Sequence, residues 1–278
     1  MKDQSIRKAA VAGAFYPADP AQLRKEIHRH LETARPAVKP DHVIGLISPH
    51  AGYAYSGGTA AYGYKLLAGR KCKRVVVFAL SHHVPFRGGS IFTGAGYSTP
   101  LGVVPVDGDL VGKIRQTSSF ITYNLHADQE EHSLEVQLPF LQEVLGSFLL
   151  VPVLIRDQTL STCREVVDAI LKVFPEEEKK DTVIVGSTDL YHGPSSRECQ
   201  MQDHLLAQTV KEFDEKKLEN LISRGDIMAC GPASIMATML LSRAFGAKSV
   251  DILHLTNSSD VMGHESDYVV GYLSAVLY

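Results

Sequence analysis

The chain has 278 residues, of which 45% are hydrophobic and 21% are charged, and its formal net charge is −3 at pH 7. This composition leaves enough apolar residues for a large core, and the near-neutral balance gives no basic footprint for nucleic acid or an anionic membrane. No apolar run approaches the roughly 18 residues that a membrane span needs. Arg7 and Lys8 interrupt the segment where a secretory leader would be apolar. We therefore expect a cytoplasmic protein.

The first part of the chain alternates between helical and strand patterns. In chain order these are a helix at 21–31 after the cap signal Asp19-Pro20, a strand at 42–47, a helix at 59–67 and a strand at 74–80. The stretch 88–106 is rich in Gly, Ser, Thr and Pro, with short apolar runs. We interpret it as a β-rich excursion with antiparallel strands on one edge of the sheet.

The remaining part begins with a helix, predicted because Leu134, Leu138, Leu141 and Leu145 share one face. Pro139 should kink this helix. The elements after it are a strand at 147–154, a helix at 161–173, a solvated charged connection at 175–181, a strand at 182–185, helices at 196–213, 214–225 and 232–245, and strands at 250–255 and 268–277. Apolar strands that alternate with helices predict a mainly parallel central sheet flanked by helices. The fold class is α/β, with residues 1–278 in a single domain.

Polar residues follow three of the predicted strands, at the point where each strand ends. His50 follows the first strand, His82 and His83 follow the second, and Asp189 and His192 follow the strand at 182–185. In parallel sheets ligands bind outside the carboxyl ends of the strands, so we expect these loops to converge. One such histidine is usually structural, whereas three at equivalent positions favour a site. The side chains of the adjacent His82 and His83 should diverge. We expect His82, which is nearer the strand end, to face the site.

Two further positions carry weaker signals. Cys230 precedes Pro232, a favoured first residue of a helix, so the helix dipole would favour a thiolate there. The alternative is an ordinary small buried residue, since the four cysteines contain no C-x-x-C pair and are expected to be free thiols. His132 and Glu135 lie one turn apart at the start of the predicted helix, among several acidic residues. The chemistry of these residues alone favours an acidic cluster that counters the helix dipole over a functional site.

Imidazole and carboxylate groups on three loops are the donor set of a mononuclear metal site. Two histidines and a carboxylate suit non-heme Fe(II), and a thiolate shifts the preference toward softer metals. Without a metal, Cys230 and His192 could instead form a nucleophile and base pair for hydrolysis.

Six separated motifs span most of the chain: Ala12-Gly-Ala-Phe-Tyr-Pro17, Ser48-Pro-His-Ala-Gly-Tyr53, Ser81-His-His83, Glu131-His-Ser-Leu-Glu135, Asp189-Leu-Tyr-His192 and Cys230-Gly231. In residues and order they resemble the MEMO family, whose prokaryotic members are called AmmeMemoRadiSam system protein B. The resemblance implies a fold related to class III extradiol dioxygenases, which are non-heme iron enzymes.

The resemblance also implies a metal-capable pocket for Fe(II) or copper. Its metal ligands would be His50, His82 and Cys230, and its catalytic or pocket residues would be His192 as acid or base, Asp189 as the group that orients it, and His132. The implied function is redox or dioxygenase-like chemistry on an unknown small molecule.

The alternative is a ligand- or peptide-binding protein that retains the pocket without catalysis, with Tyr53, Tyr55 and Tyr191 as contacts. AMMECR1-like and radical SAM proteins are the partners that family association implies.

Overall fold

The computed structural model describes residues 4–264 and 267–278. Apolar, β-branched runs form most of the strands in this part of the chain. The strands are β1 (Ile6–Arg7), β2 (Gly45–Ser48), β3 (Arg74–Leu80), β4 (Gly89–Ile91), β5 (Gly96–Thr99), β6 (Gly102–Pro105), β7 (Ile121–Thr122), β8 (Leu149–Ile155), β9 (Thr182–Ser187), β10 (His192–Gly193), β11 (Val250–Asn257) and β12 (Val269–Leu277). Nine of them make one large sheet, and β1, β5 and β6 make a small one.

The helices fill the connections between strands. They are α1 (Pro20–Thr33), α2 (Tyr53–Lys65), α3 (Gly108–Thr117), α4 (Leu125–Gln129), α5 (Gln137–Leu145), α6 (Leu160–Leu171), α7 (Ser196–Lys211), α8 (Glu215–Arg224), α9 (Pro232–Ala244) and α10 (Ser258–Met262), with a short 3-10 helix at Glu176–Asp181. The side chain of Leu46 in β2 packs near Gly63 of α2, whereas Gly45 faces Ser242 of α9. Because neighbouring strand residues point to opposite faces, these two helices cover the two sides of the sheet.

The centre of the large sheet is parallel and its flanks are antiparallel. Strands β2, β9, β3 and β8 pair in that order, all parallel, while β12 runs antiparallel to β2 and β4 antiparallel to β8. The prediction of a mainly parallel sheet is therefore correct at the centre, and the antiparallel β4 agrees with the interpretation of 88–106, whereas the antiparallel flank formed by β12 and its neighbours was not predicted. The short connection through α10 cannot make a parallel crossover, so β11 and β12 pair as antiparallel neighbours.

The excursion at 88–106 is β-rich as predicted, but only part of it lies on the edge of the large sheet. Strand β4 pairs antiparallel with β8, whereas β5 and β6 form a hairpin that pairs with β1 in the separate small sheet. The predicted kinked helix is also wrong. Helix α5 begins at Gln137, so Pro139 lies in its first turn, where a missing N–H breaks no helical hydrogen bond. His132 precedes this helix in a turn.

Helix α9 packs closely on the sheet because glycines face it. An ideal Cβ built on Gly45 would overlap Ser242 Oγ, and one on Gly186 would overlap Thr238 Oγ1. Both hydroxyls are buried and have no hydrogen-bond partner among the described residues. The close approach fixes the start of α9, and with it Cys230, beside the carboxyl end of β9.

One large apolar cluster extends through the sheet and its flanking helices. The four cysteines are free, as predicted, with Cys163 and Cys199 buried and Cys72 and Cys230 half-buried. None of the helices in the described part of the chain is both long and apolar enough to cross a bilayer.

Candidate metal centre

Three predicted loops meet at the carboxyl edge of the parallel sheet. Strands β2, β9 and β3 are neighbours, and the loops that follow them carry His50, Asp189 with His192, and His82. These four residues line one cavity of about 620 Å³. His83 is exposed and is not part of the cavity lining, which agrees with the expectation that only His82 faces the site.

The rest of the cavity wall is largely apolar and aromatic. His132 lines it, and the apolar walls come from segments distant in sequence, namely Phe15, Tyr55, Met262, Val270 and Tyr272. The expectation that Tyr53 and Tyr191 contact a ligand is wrong. The hydroxyl of Tyr53 donates to the buried carbonyl of Val136, and that of Tyr191 donates to Glu198. Both side chains are buried, and neither lines the cavity.

His50 is held in one tautomer by a buried network. Ser187 Oγ donates its only proton to the carbonyl of Ser133 (2.6 Å) and accepts from Gln137 Nε2 (2.8 Å). Its 2.9 Å contact with His50 Nδ1 must therefore be donated by the imidazole. This leaves the lone pair on Nε2, and burial, with the nearby His82, lowers the pKa of His50 to about 3. The ring is neutral and available as a ligand.

Cys230 lies against that lone pair. Its Sγ is 3.2 Å from His50 Nε2 and accepts a hydrogen bond from the N–H of Asp189 at 3.1 Å. Burial, reinforced by the charge of Asp189, raises the pKa of the Cys230 thiol above its ordinary value. In the metal-free chain these effects outweigh the helix dipole that the sequence suggested. The predicted pairing of Cys230 with His192 as nucleophile and base is also wrong, because the imidazole in contact with the thiol is that of His50.

His82 is fixed by Glu131, a residue that sequence reasoning did not select. The carboxylate accepts from the backbone N–H of His82 (2.5 Å), from its ring Nδ1 (2.8 Å) and from the N–H of Ser133 (2.8 Å). Burial alone would raise the pKa of Glu131, but the hydrogen bonds from His82 outweigh it and hold the pKa at about 2. The acidic pair before His132 was the available signal, and it was interpreted as a helix-dipole effect.

His132 borders the centre but is poorly oriented to be a ligand in it. Its ring stacks on that of His82, with 4.5 Å between centroids and 21° between planes. A metal bound to an imidazole nitrogen lies in the ring plane, so two stacked rings cannot both point at one ion. Phe15 packs on His132, and burial, with the nearby His50, lowers the pKa of His132 to about 3. His132 is therefore a neutral wall of the pocket.

Among the residues that the structure describes, two groups of side chains are close enough to hold an ion. The ligand atoms of His50, His82 and Cys230 lie within 4.8 Å of one another, and so do those of His82, Glu131 and His132. The stacked rings and the fully engaged Glu131 argue against the second group. The first fits, because bonds of about 2.1 Å to nitrogen and 2.3 Å to sulfur place such donors about 3.5 Å apart around one metal.

His192 is oriented differently from what was expected. Its Nδ1 donates to the carbonyl of Leu190 at 2.8 Å, so the Nε2 lone pair is available in the cavity. Asp189 does not make that hydrogen bond; its Oδ1 accepts from the backbone N–H of His50 at 2.8 Å. Burial raises the pKa of Asp189 to about 6. Asp189 thus ties the His50 loop to the loop after β9.

Glu135 anchors the N-terminal segment that forms one wall. Its carboxylate accepts hydrogen bonds from the guanidinium of Arg7, the hydroxyl of Tyr16, and the backbone N–H groups of Ala10 (2.8 Å) and Val11 (3.1 Å). Both Arg7 and Glu135 are buried. Through this cluster the start of the chain places Phe15 over His132.

The fold and the site define an α/β protein with a pocket at the carboxyl edge of its sheet and a histidine–cysteine donor set inside it. The profile of the Memo-like protein family matches residues 7–276. A MEMO1 family protein of Methanopyrus kandleri is 36% identical, with 97% of this chain and 98% of that protein aligned. MEMO1 family proteins of Methanobrevibacter smithii and Nitrosopumilus maritimus are 34% and 32% identical over 98% and 96% of this chain, and over 99% and 98% of their own lengths. The chain belongs to the Memo-like protein family.

Proposed function

We propose that this protein is a mononuclear metal enzyme that performs redox or dioxygenase-like chemistry on a small molecule. The observation that carries the proposal is the convergence of His50 Nε2, His82 and Cys230 Sγ within 4.8 Å at the side of a cavity. Two imidazoles and a thiolate suit iron or copper, and the thiolate favours the softer Cu(I). A metal held there would supply a Lewis acid and a redox centre.

The chain's own residues would handle protons and exclude water. His192 presents an Nε2 lone pair to the cavity, which suits a base that accepts a proton from a substrate hydroxyl. Asp189 keeps the His50 loop in place, and the rings of Phe15 and Tyr272 shield the interior from solvent. A cavity of about 620 Å³ matches the size of small-molecule sites.

The lining residues that the structure describes include no lysine or arginine. A phosphorylated or carboxylated substrate would therefore meet no lysine or arginine side chain in this lining. This favours a substrate with an uncharged body.

Anaerobic titration with Fe(II) or Cu(I), read out by elemental analysis after gel filtration, tests the metal centre. We expect about one ion per chain for the wild type and none for a His50→Ala, Cys230→Ala double variant. A His83→Ala, Cys72→Ala double variant removes the same residue types outside the pocket and should bind as the wild type does. Equal affinity of the two double variants would contradict the proposal.

The second candidate is ligand or peptide binding without turnover. It is favoured by the aromatic mouth of the cavity, where Tyr55 is 43% and Tyr268 is 58% exposed. Oxidation of any catechol-like compound by the metal-loaded protein, lost in His192→Gln, would decide for the enzyme. Binding of such a compound without product would decide for the alternative.

A further inference from the structure

Glu131 is a buried carboxylate whose two oxygens accept hydrogen bonds from the His82 loop and from Ser133. It is 2% exposed, and its oxygens accept from two backbone N–H groups, those of His82 (2.5 Å) and Ser133 (2.8 Å). A third hydrogen bond joins Glu131 Oε1 to His82 Nδ1 at 2.8 Å, whereas His132 Nδ1 lies 3.6 Å from the same oxygen. An ionised carboxylate can only accept, so Nδ1 must carry the imidazole proton.

The position of this proton decides whether His82 can bind a metal. With the proton on Nδ1, the lone pair lies on Nε2, at the far side of the ring from Glu131. His50 lies edge-on to that ring, with 5.3 Å between centroids and 86° between planes. An imidazole with its proton on Nε2 would have to lose that proton before it could bind.

We propose that Glu131 is a positioning residue of the metal centre, which fixes His82 in the tautomer and ring orientation whose Nε2 faces the ion. The inference rests on the proposed function for the identity of the bound group, but the tautomer itself is a property of the metal-free protein. Carboxylates that accept from the distal nitrogen of a ligating histidine raise metal affinity in the same way.

A Glu131→Gln variant separates this role from simple packing. Both oxygens face N–H donors, so the new amide NH₂ opposes a donor in either orientation. When it points at the His82 ring it donates to Nδ1, and the imidazole proton moves to Nε2.

The test is ¹H–¹⁵N spectroscopy of the imidazoles in ¹⁵N-labelled, metal-free protein, with His82 assigned by its loss in His82→Gln. The wild type should show the proton on Nδ1, and Glu131→Gln should shift it toward Nε2. A Co²⁺ titration, read out by thiolate-to-metal absorbance, should show about a 10–100-fold weaker affinity in Glu131→Gln. Glu130→Gln, at the exposed neighbouring carboxylate, should change neither readout.

A wild-type proton on Nε2, or an unchanged tautomer together with an unchanged Co²⁺ affinity in Glu131→Gln, overturns the proposal. The expected tautomers without Co²⁺ binding by the wild type would support the positioning role and contradict the metal centre. If Glu131→Gln does not fold, Glu131→Asp withdraws the carboxylate by one methylene and should give a mixture of tautomers. A pure Nδ1–H form in that variant would count against Glu131.

Discussion

Phe15 packs its ring against that of His132, with 4.8 Å between the centroids. Its backbone carbonyl accepts a hydrogen bond from the N–H of Tyr53 at the start of α2. The N-terminal segment is thereby tied both to the helix that follows the His50 loop and to the wall of the pocket. Since Phe15 contacts a wall residue and not a metal ligand, its removal should affect stability and metal binding differently.

We expect Phe15→Ala to lower the free energy of unfolding by about 2 kcal/mol, because the ring is half-buried and a fully buried Phe→Ala costs about 3–5 kcal/mol. Co²⁺ affinity should stay close to that of the wild type. Urea denaturation of the variant checks the change in stability, and a Co²⁺ titration of the same preparation checks the affinity. Loss of Co²⁺ binding with unchanged stability would show that His132 belongs to the centre.

Glu135→Gln should be among the most damaging single substitutions in this part of the chain. It removes the charge that balances Arg7 in a buried ion pair and weakens the hydrogen bond from Tyr16. Leaving a buried charge without its partner costs about 3–5 kcal/mol, which urea denaturation would measure. Glu143→Gln breaks an ion pair with the half-exposed Arg24 and is the matched control, with a much smaller expected loss.

Gly45→Ala should destabilise the protein through helix α9. The added methyl group overlaps Ser242 Oγ, and such overpacking costs about 1–3 kcal/mol. Ser242→Ala alone should be nearly neutral, because its buried hydroxyl has no hydrogen-bond partner in the described chain. The double variant should recover most of the loss, since the overlapping atom is gone. A double-mutant cycle from thermal or urea unfolding checks this, and strict additivity would refute it.

His30 should make the protein less stable in mild acid. Burial, with the charge of Arg29, lowers its pKa from 6.5 to about 4. Between these values the unfolded chain binds more protons than the folded one, so the free energy of unfolding falls as the pH drops from 6.5 toward 4. The full shift corresponds to about 3 kcal/mol, and partial solvation of the ring reduces the expected effect to about 1–2 kcal/mol.

Urea denaturation at pH 7.5 and pH 5 in the wild type and His30→Gln would measure this effect. Glu26 lies 3.7 Å from the His30 ring, is present in both proteins and acts in the opposite direction. His50 and His132 also have lowered pKa values, so the wild type and the variant must be compared at both pH values. The variant should lose less stability on acidification. Equal losses of stability in the wild type and in His30→Gln would show that His30 does not cause the destabilisation in acid.

The site residues that directly follow strands could be predicted from the sequence. His50, His82 and Asp189 follow apolar runs that could only be buried strands, and the ends of parallel neighbours meet at one edge. The role of Glu131 could not be predicted, because it depends on a turn that meets the His82 loop, 49 residues earlier in the chain. Nothing in the local pattern distinguishes it from a dipole-countering acid.

The errors in the fold have a similar origin. A periodic row of leucines predicted one kinked helix, but Pro139 is better placed in the first turn of a shorter one. The direction of β12 depends on the length and shape of the connection through α10, which an apolar run does not encode. Helix α2 was expected to start later than it does because Gly57 and Gly58 weaken the helical signal. Gly57 packs against the ring of His30, where a Cβ would be crowded.

His50 and Cys230 are 180 residues apart in the chain, yet their side chains touch. Closing so long a loop is entropically unfavourable, and here the pairing of β2 with β9 and the packing of α9 on the sheet bring its two ends together. In a zinc finger the metal assembles the polypeptide. In this protein the contacts that bring the two side chains together are between polypeptide segments, so under the proposed function the cavity would form before the ion binds. Under the proposed function, a cell short of metal should therefore accumulate folded protein that can be loaded with metal later, so metal supply would govern the active fraction while leaving the amount of protein unchanged.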